Sequence, residues 1–194
     1  MGQCSESAVG EARSDAAGAF DRLYERCYPL VWAYVARRVS SDRADDVVAD
    51  TFLVAWRQID SVPSDTSALL WLYRVAHRTV GQHWRTQSRR RRLGDRISAL
   101  PVGHHDDPAD STIASDEVRC VLAAAERLNP NDAEVLRLAG WEGLTNSEIA
   151  IVLELSVNAV GQRLHRARRN LTKQFERLTH EDRAESTRRD GGAP

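Results

Sequence analysis

An all-helical fold of two small domains, joined by a flexible acidic linker, is what this sequence predicts, and three observations carry the prediction. Apolar residues recur at spacings of three and four along most of the chain. No segment sustains period-two alternation, so strands are not expected. The stretch LPVGHHDDPADSTIAS, residues 100–115, interrupts the pattern with two prolines, one glycine and no strong period, as an interdomain linker does. The expected limits are a disordered lead-in over 1–17, a first domain over 18–99, the linker over 100–115, a second domain over 116–179 and a disordered tail over 180–194.

The lead-in is small, polar and aperiodic. Helical order is expected from Phe20, with Leu23, Tyr24, Cys27, Val31, Tyr34 and Val35 on one pattern and Pro29 kinking the helix or starting a second one. Ser41, followed by Asp42, Asp45 and Asp46, marks a helix start, because carboxylates in a first turn complement the helix dipole. That helix is expected to reach Ile59, burying Val48, Thr51, Phe52, Ala55 and Ile59. Asp46, Asp50, Leu53 and Arg57 form a second stripe on it. The stripe reads either as a solvated face with local ion pairs or as a docking surface for a partner helix, and periodicity does not choose between them.

SVPSDTS, residues 61–67, is a loop by composition. Helix resumes near Ala68, with Leu69, Leu72, Val75, Ala76 and Val80 inward and Arg74, His77, Arg78, Gln82 and Arg85 on other faces. Trp71, Tyr73 and Trp84 are interleaved with these donors. Aromatic rings beside arginines suit single-stranded bases, each stacked base contributing roughly 1–3 kcal/mol. A tryptophan at helical spacing also serves as core, and Trp71 is expected to pack inward.

In the second domain, Val118, Val121, Leu122, Ala125 and Leu128 are expected to form one buried stripe. Asn129-Pro130 stops that helix, and Asn131 or Asp132 is expected to cap the next, which carries Val135, Leu136, Leu138 and Ala139. Residues 144–171, LTNSEIAIVLELSVNAVGQRLHRARRNL, then read as a helix-turn-helix. Thr145 and Glu148 are spaced to cap a first helix reciprocally, ahead of Ile149, Val152 and Leu153. Ser156 is the expected N-cap of a second helix that buries Val157, Val160, Leu164, Ala167 and Leu171. Its other face carries Asn158, Gln162, Arg163, Arg166 and Arg169, donors suited to phosphates and to guanine or adenine edges in a major groove. The turn holds Glu154 where many such motifs place glycine, and a left-handed conformation there costs roughly 1 kcal/mol.

Net charge is only -1, but the charge is segregated. Residues 82–96 hold six arginines against Asp95, residues 158–178 hold six basic residues against Glu176, and residues 102–117 hold five acids and no Lys or Arg. Two basic surfaces separated by an acidic connector point to a polyanion as partner. Cys4, Cys27 and Cys120 show no paired spacing, which excludes a zinc knuckle or disulfide framework and fits a reducing compartment. No apolar run approaches the roughly 20 residues of a membrane span, and the first residues lack the pattern of a signal peptide. A soluble, cytoplasmic protein without membrane insertion is expected. His104, His105, Asp106 and Asp107 are adjacent in a loop and offer no fixed metal geometry, so no metal and no cofactor are expected. Neither a glycine-rich phosphate loop nor a nucleophile motif occurs, so the chain is not expected to be an enzyme.

Four stretches, in order, resemble the extracytoplasmic-function (ECF) group of the bacterial sigma-70 family. AFDRLYERCYPLVWAYV resembles the opening helix of the promoter-melting domain, DDVVADTFLVAWR the polymerase-binding helix, WLYRVAHRTVGQHWR the helix that reads the minus-ten element, and EIAIVLELSVNAVGQRLHRARRNL the reader of the minus-thirty-five element. The resemblance implies that Asp46, Asp50, Leu53 and Arg57 contact the large subunits of core RNA polymerase. It implies minus-ten contacts from Val62, Ser64, Asp65, Arg74, His77, Arg78, Gln82, Trp84 and Arg85, with the loop capturing a base flipped from single-stranded DNA. It implies minus-thirty-five duplex contacts from Asn158, Gln162, Arg163, Arg166 and Arg169. Leu138 and Trp141 would meet the polymerase flap, and an anti-sigma factor is expected as a further partner. The chain departs from the family's common residues at Ala49, Val62, Arg78, Gln82, Asn158, Ala159 and Gly161, which bears on promoter preference rather than on polymerase anchoring. An autonomous helix-turn-helix regulator is the alternative, and it predicts tight operator binding without polymerase.

Overall fold

The structure, a computed structural model, describes the backbone of residues 3–65, 67–94 and 116–190 and the side chains of 15–65, 67–89 and 118–180. Among the described residues every regular element is helical and none is a strand. The helices are α1 (Gln3–Ala36), α2 (Ser41–Arg57), a single 3-10 turn (Ile59–Ser61), α3 (Ser67–Gly94), α4 (Asp116–Glu126), α5 (Pro130–Gly140), α6 (Asn146–Leu153) and α7 (Val157–Asp190). They separate into two compact units, the first built on α1–α3 and the second on α4, α5 and α7 with the start of α6.

In the first unit the three helices pack on one another through the stripes their spacing predicts. Leu23, Cys27, Val31, Tyr34 and Val35 of α1 are buried, as are Val47, Val48, Thr51, Phe52 and Ala55 of α2 and Trp71, Leu72, Val75, Ala76 and Val80 of α3. The hydroxyl of buried Thr51 donates to the Val47 carbonyl at 2.8 Å, which lets a polar residue sit in this core. Three expectations change. α1 begins at Gln3, inside the segment expected to be disordered. Once a helix is nucleated each added residue costs little, and the segment is rich in alanine. Pro29 neither breaks nor restarts α1: it is exposed, so the carbonyl it leaves without an amide donor faces water, while buried Cys27 and Val31 anchor both flanks. α2 starts at Ser41 as expected, but it ends at Arg57 and leaves Ile59 in the 3-10 turn.

In the second unit α4 and α5 both pack against α7. Here the expected face of α4 is corrected: Val118, Val121 and Leu122 are exposed and Ala124, outside the expected stripe, is buried, while Leu128 just past the helix is buried as expected. Apolar residues fall on more than one side of this helix between its charged positions Asp116, Glu117, Arg119 and Glu126, so spacing does not tell which side is covered. The cap of α5 is Asn129, whose side chain accepts from the Asn131 amide at 3.0 Å, with Pro130 at the first helical position. Pro130 has no amide hydrogen to leave unpaired in the first turn, so the Asn-Pro pair that follows the end of α4 also starts α5. Ala133, Val135 and Leu138 are buried on α5, and Val160, Leu164 and Ala167 on α7, but Val157 is exposed. A residue at the first position of a helix has no preceding turn to bury it. α7 also continues to Asp190, through most of the expected tail. The linker and its His104–Asp107 cluster lie outside the described residues.

Candidate nucleic-acid interface

The helix-turn-helix is held at three points. Thr145 caps α6: its Oγ1 accepts from the Glu148 amide at 3.3 Å, while Glu148 Oε2 accepts from the Thr145 amide at 2.8 Å and from its hydroxyl at 2.7 Å. These donors stabilise the ionised Glu148 carboxylate and hold it below its ordinary range. At the turn, Glu154 adopts the left-handed conformation, φ 55° and ψ 47°, and the Leu155 amide returns to the Ala150 carbonyl at 3.0 Å. Ser156 Oγ then accepts from the Ala159 amide at 3.2 Å, the cap expected of it.

α7 divides its polar residues into two groups. Asn158, Gln162 and Arg169 are exposed, and the steps of four, three and four from 158 to 169 add His165 to the same line. Lys173 extends it and is exposed too. His165 and Lys173 were not among the expected contacts, although the spacing that finds them is that of the other three. Arg166, four residues after Gln162 and three before Arg169, is exposed on the same face, whereas Arg163 lies off it. Arg163 is half-buried, and Arg166 donates from Nε to Asp132 Oδ2 at 2.9 Å and from Nη2 to Asp132 Oδ1 at 2.8 Å. The Arg166 bonds, with the nearby Arg163 charge, keep the Asp132 carboxyl below its ordinary range.

In the first unit Asp46, Asp50, Leu53 and Arg57 are all exposed along one face of α2. Trp56, also exposed, was not among the expected residues; it stands 5.2 Å from Phe20, ring centre to ring centre, edge to face. Tyr24 lies 4.7 Å from Phe52 in the same cluster. On α3 the steps from 78 to 89 form an exposed basic line, Arg78, Gln82, Arg85 and Arg89. An open cleft of 810 Å³ joins Asp46 and Asp50 of α2 to Gln82, Arg85 and Arg89 of α3.

Other expected contacts are placed differently. Trp71 and Tyr73 are buried, and Tyr73 stacks on Tyr34 at 5.0 Å, so neither offers a face to a base; Trp84 is exposed. His77 is half-buried, with Nδ1 3.5 Å from the Tyr34 hydroxyl, and Arg74 is half-buried as well. Arg38 lies over the Tyr34 ring at 3.5 Å and donates to the Tyr34 carbonyl at 2.7 Å, which closes the C-terminal end of α1. In the loop, Val62 is half-buried and Ser64 exposed, while Asp65 Oδ1 accepts from the Ser67 amide at 2.9 Å and from its hydroxyl at 2.5 Å, capping α3. Those bonds hold the Asp65 carboxyl below its ordinary range. Among the described residues no group of His, Cys, Asp and Glu is arranged to hold a metal ion, and no helix is long and apolar enough to cross a membrane.

Comparison with known proteins agrees with this division. Residues 23–90 match sigma-70 region 2 and residues 118–171 match sigma-70 region 4. The ECF RNA polymerase sigma-E factor of Haemophilus influenzae is 29% identical over 168 residues, covering 82% of this chain and 89% of the relative. The structure of CnrH in complex with the cytosolic domain of CnrY aligns with a TM-score of 0.59 at 27% identity, over 83% of this chain and 94% of that one. The sigma factor RpoE of Bartonella quintana, solved with the anti-sigma factor NepR, shares the fold with a TM-score of 0.63 at 22% identity, over 81% of this chain and 96% of that one. Two helical units carrying regions 2 and 4 in this order define a sigma factor. The chain belongs to the sigma-70 family, in its ECF group.

Proposed function

We propose that this chain directs core RNA polymerase to a narrow set of promoters and helps to open them, acting by binding energy without catalysis, in the cytoplasm. The observation that carries the proposal is the pairing of an exposed mixed face on α2 with an exposed basic line on each of α3 and α7. Residues 18–99 serve as the promoter-melting domain and 116–179 as the upstream-element domain, with 100–115 between them. Asp46, Asp50, Leu53 and Arg57 anchor the chain to the large subunits of the polymerase, and Trp56 adds aromatic area beside Leu53.

Downstream, Arg78, Gln82, Arg85 and Trp84 meet the opened minus-ten strand, which stacks on the exposed indole and neutralises the arginines. Val62, Ser64 and Asp65 line the loop that receives an unstacked base, and the half-buried His77 and Arg74 support that surface. Upstream, Asn158, Gln162, His165, Arg166 and Arg169 enter the major groove, with Arg163 at its edge. An anti-sigma protein holds the factor inactive by covering one or both DNA faces; CnrH, which shares the fold, is bound to the cytosolic domain of a second protein.

Transcription by purified core polymerase on a genomic promoter library, with and without the chain, tests the proposal. Chain-dependent starts that share two spaced upstream elements are the expected outcome. Specific duplex binding by the chain alone, with no new starts, would transfer the function to an autonomous regulator.

A further inference from the structure

Asp132 is an acid in an unusual place. Its side chain is only 4% exposed, whereas that of Arg166, which it grips by both oxygens, is 52% exposed. The acid is therefore sunk in the first turn of α5, and the guanidinium reaches outward from it along the edge of α7. A buried ion pair is often no more stabilising than apolar residues of the same volume, so stability alone does not account for it. A guanidinium has five N–H donors in a rigid fork. Asp132 occupies the Nε–Nη2 side of that fork and leaves the end-on pair, Nη1 and Nη2, facing away from the carboxylate. An end-on pair matches guanine O6 and N7. An arginine without such a grip keeps its full charge and its rotamer freedom, and takes the nearest phosphate.

We infer that Asp132 is a specificity-determining positioning residue, holding Arg166 side-on so that the arginine meets duplex DNA through its end-on donors and reads one guanine instead of the phosphate backbone. The inference rests on the reading of α7 as the duplex-contacting helix.

Holoenzyme assembled from core polymerase and the full chain is challenged with a random duplex library and, separately, with an unselected duplex across 50–200 mM salt. Asp132→Asn is expected to lose about tenfold or more discrimination at one base pair. It should also steepen the log–log salt dependence by about 0.9, because the released arginine becomes a phosphate contact. Arg166→Ala should lose the same discrimination without steepening, and Asp132→Asn should change nothing further in that background. Asp132→Glu keeps the charge but displaces the fork by one methylene; it covers the case of a poorly folded Asn variant, and the same position should lose discrimination. A purely structural Asp132 would weaken all sequences alike, leave the salt slope unmoved and act equally with or without Arg166; that pattern, or unchanged discrimination, overturns the inference. A wild-type holoenzyme that selects no upstream sequence would overturn the reading of α7 itself, which is a different result from selection that survives Asp132→Asn.

Discussion

Glu154 carries the bend of the helix-turn-helix in a conformation that side chains resist, at φ 55°. The left-handed conformation costs a non-glycine residue about 1–2 kcal/mol, partly offset by the greater unfolded-state entropy of glycine. Glu154→Gly is expected to raise stability by about 0.5–1 kcal/mol, read as the shift in the denaturation midpoint, and to leave DNA binding unchanged. Thr145→Ala removes the reciprocal cap of α6 and should cost about 1 kcal/mol in the same measurement. The cap was legible in sequence because its partners lie three residues apart, whereas Glu154 counted there against a regular turn and the structure shows it left-handed all the same. The grip of Asp132 on Arg166 was not legible, since 34 residues separate them and no local rule pairs them. Asp132 was instead read as a candidate helix cap, a role that belongs to Asn129.

Among the elements, α2 and α4 show how far periodicity reaches. α2 alternates apolar and charged faces, so its buried stripe was visible and its second stripe stood out as surplus. Trp56 was missed because an indole reads as core by composition, yet it is 45% exposed beside Leu53. Trp56→Ala is expected to weaken binding to core polymerase by about 2 kcal/mol in a competition assay while leaving duplex binding by α7 intact. Equal loss of both would place Trp56 in the core of the unit rather than in the polymerase contact. α4 offers apolar residues on more than one side, and only the helix it meets decides which of them are covered.

For the whole molecule, two separate cores imply two separate stabilities. Leu72→Ala, at a fully buried position in the first unit, should cost that unit about 2–5 kcal/mol, and hydrogen exchange should show the second unit unaffected. Leu138→Ala should do the reverse. Acid is expected to loosen the recognition helices of the second unit. Asp132 and Glu148 are both held below their ordinary values, so their contribution is complete above the usual carboxylate range near pH ~4 and is lost as pH falls through their depressed values. Asp132→Asn should flatten that acid loss, as followed by helix content against pH.

The chain by itself determined the helical class, the two-domain order, the capping box, the turn and the basic lines on α3 and α7, because each is written in residues a few positions apart. It also determined the family, through four motifs in sequence order. Tertiary structure decided which side of α4 is buried, which aromatic rings remain exposed, and which arginine of α7 is bound to an acid before any DNA arrives. These depend on contacts between residues far apart in sequence. Periodicity marks faces, but burial is settled by the neighbour a face meets.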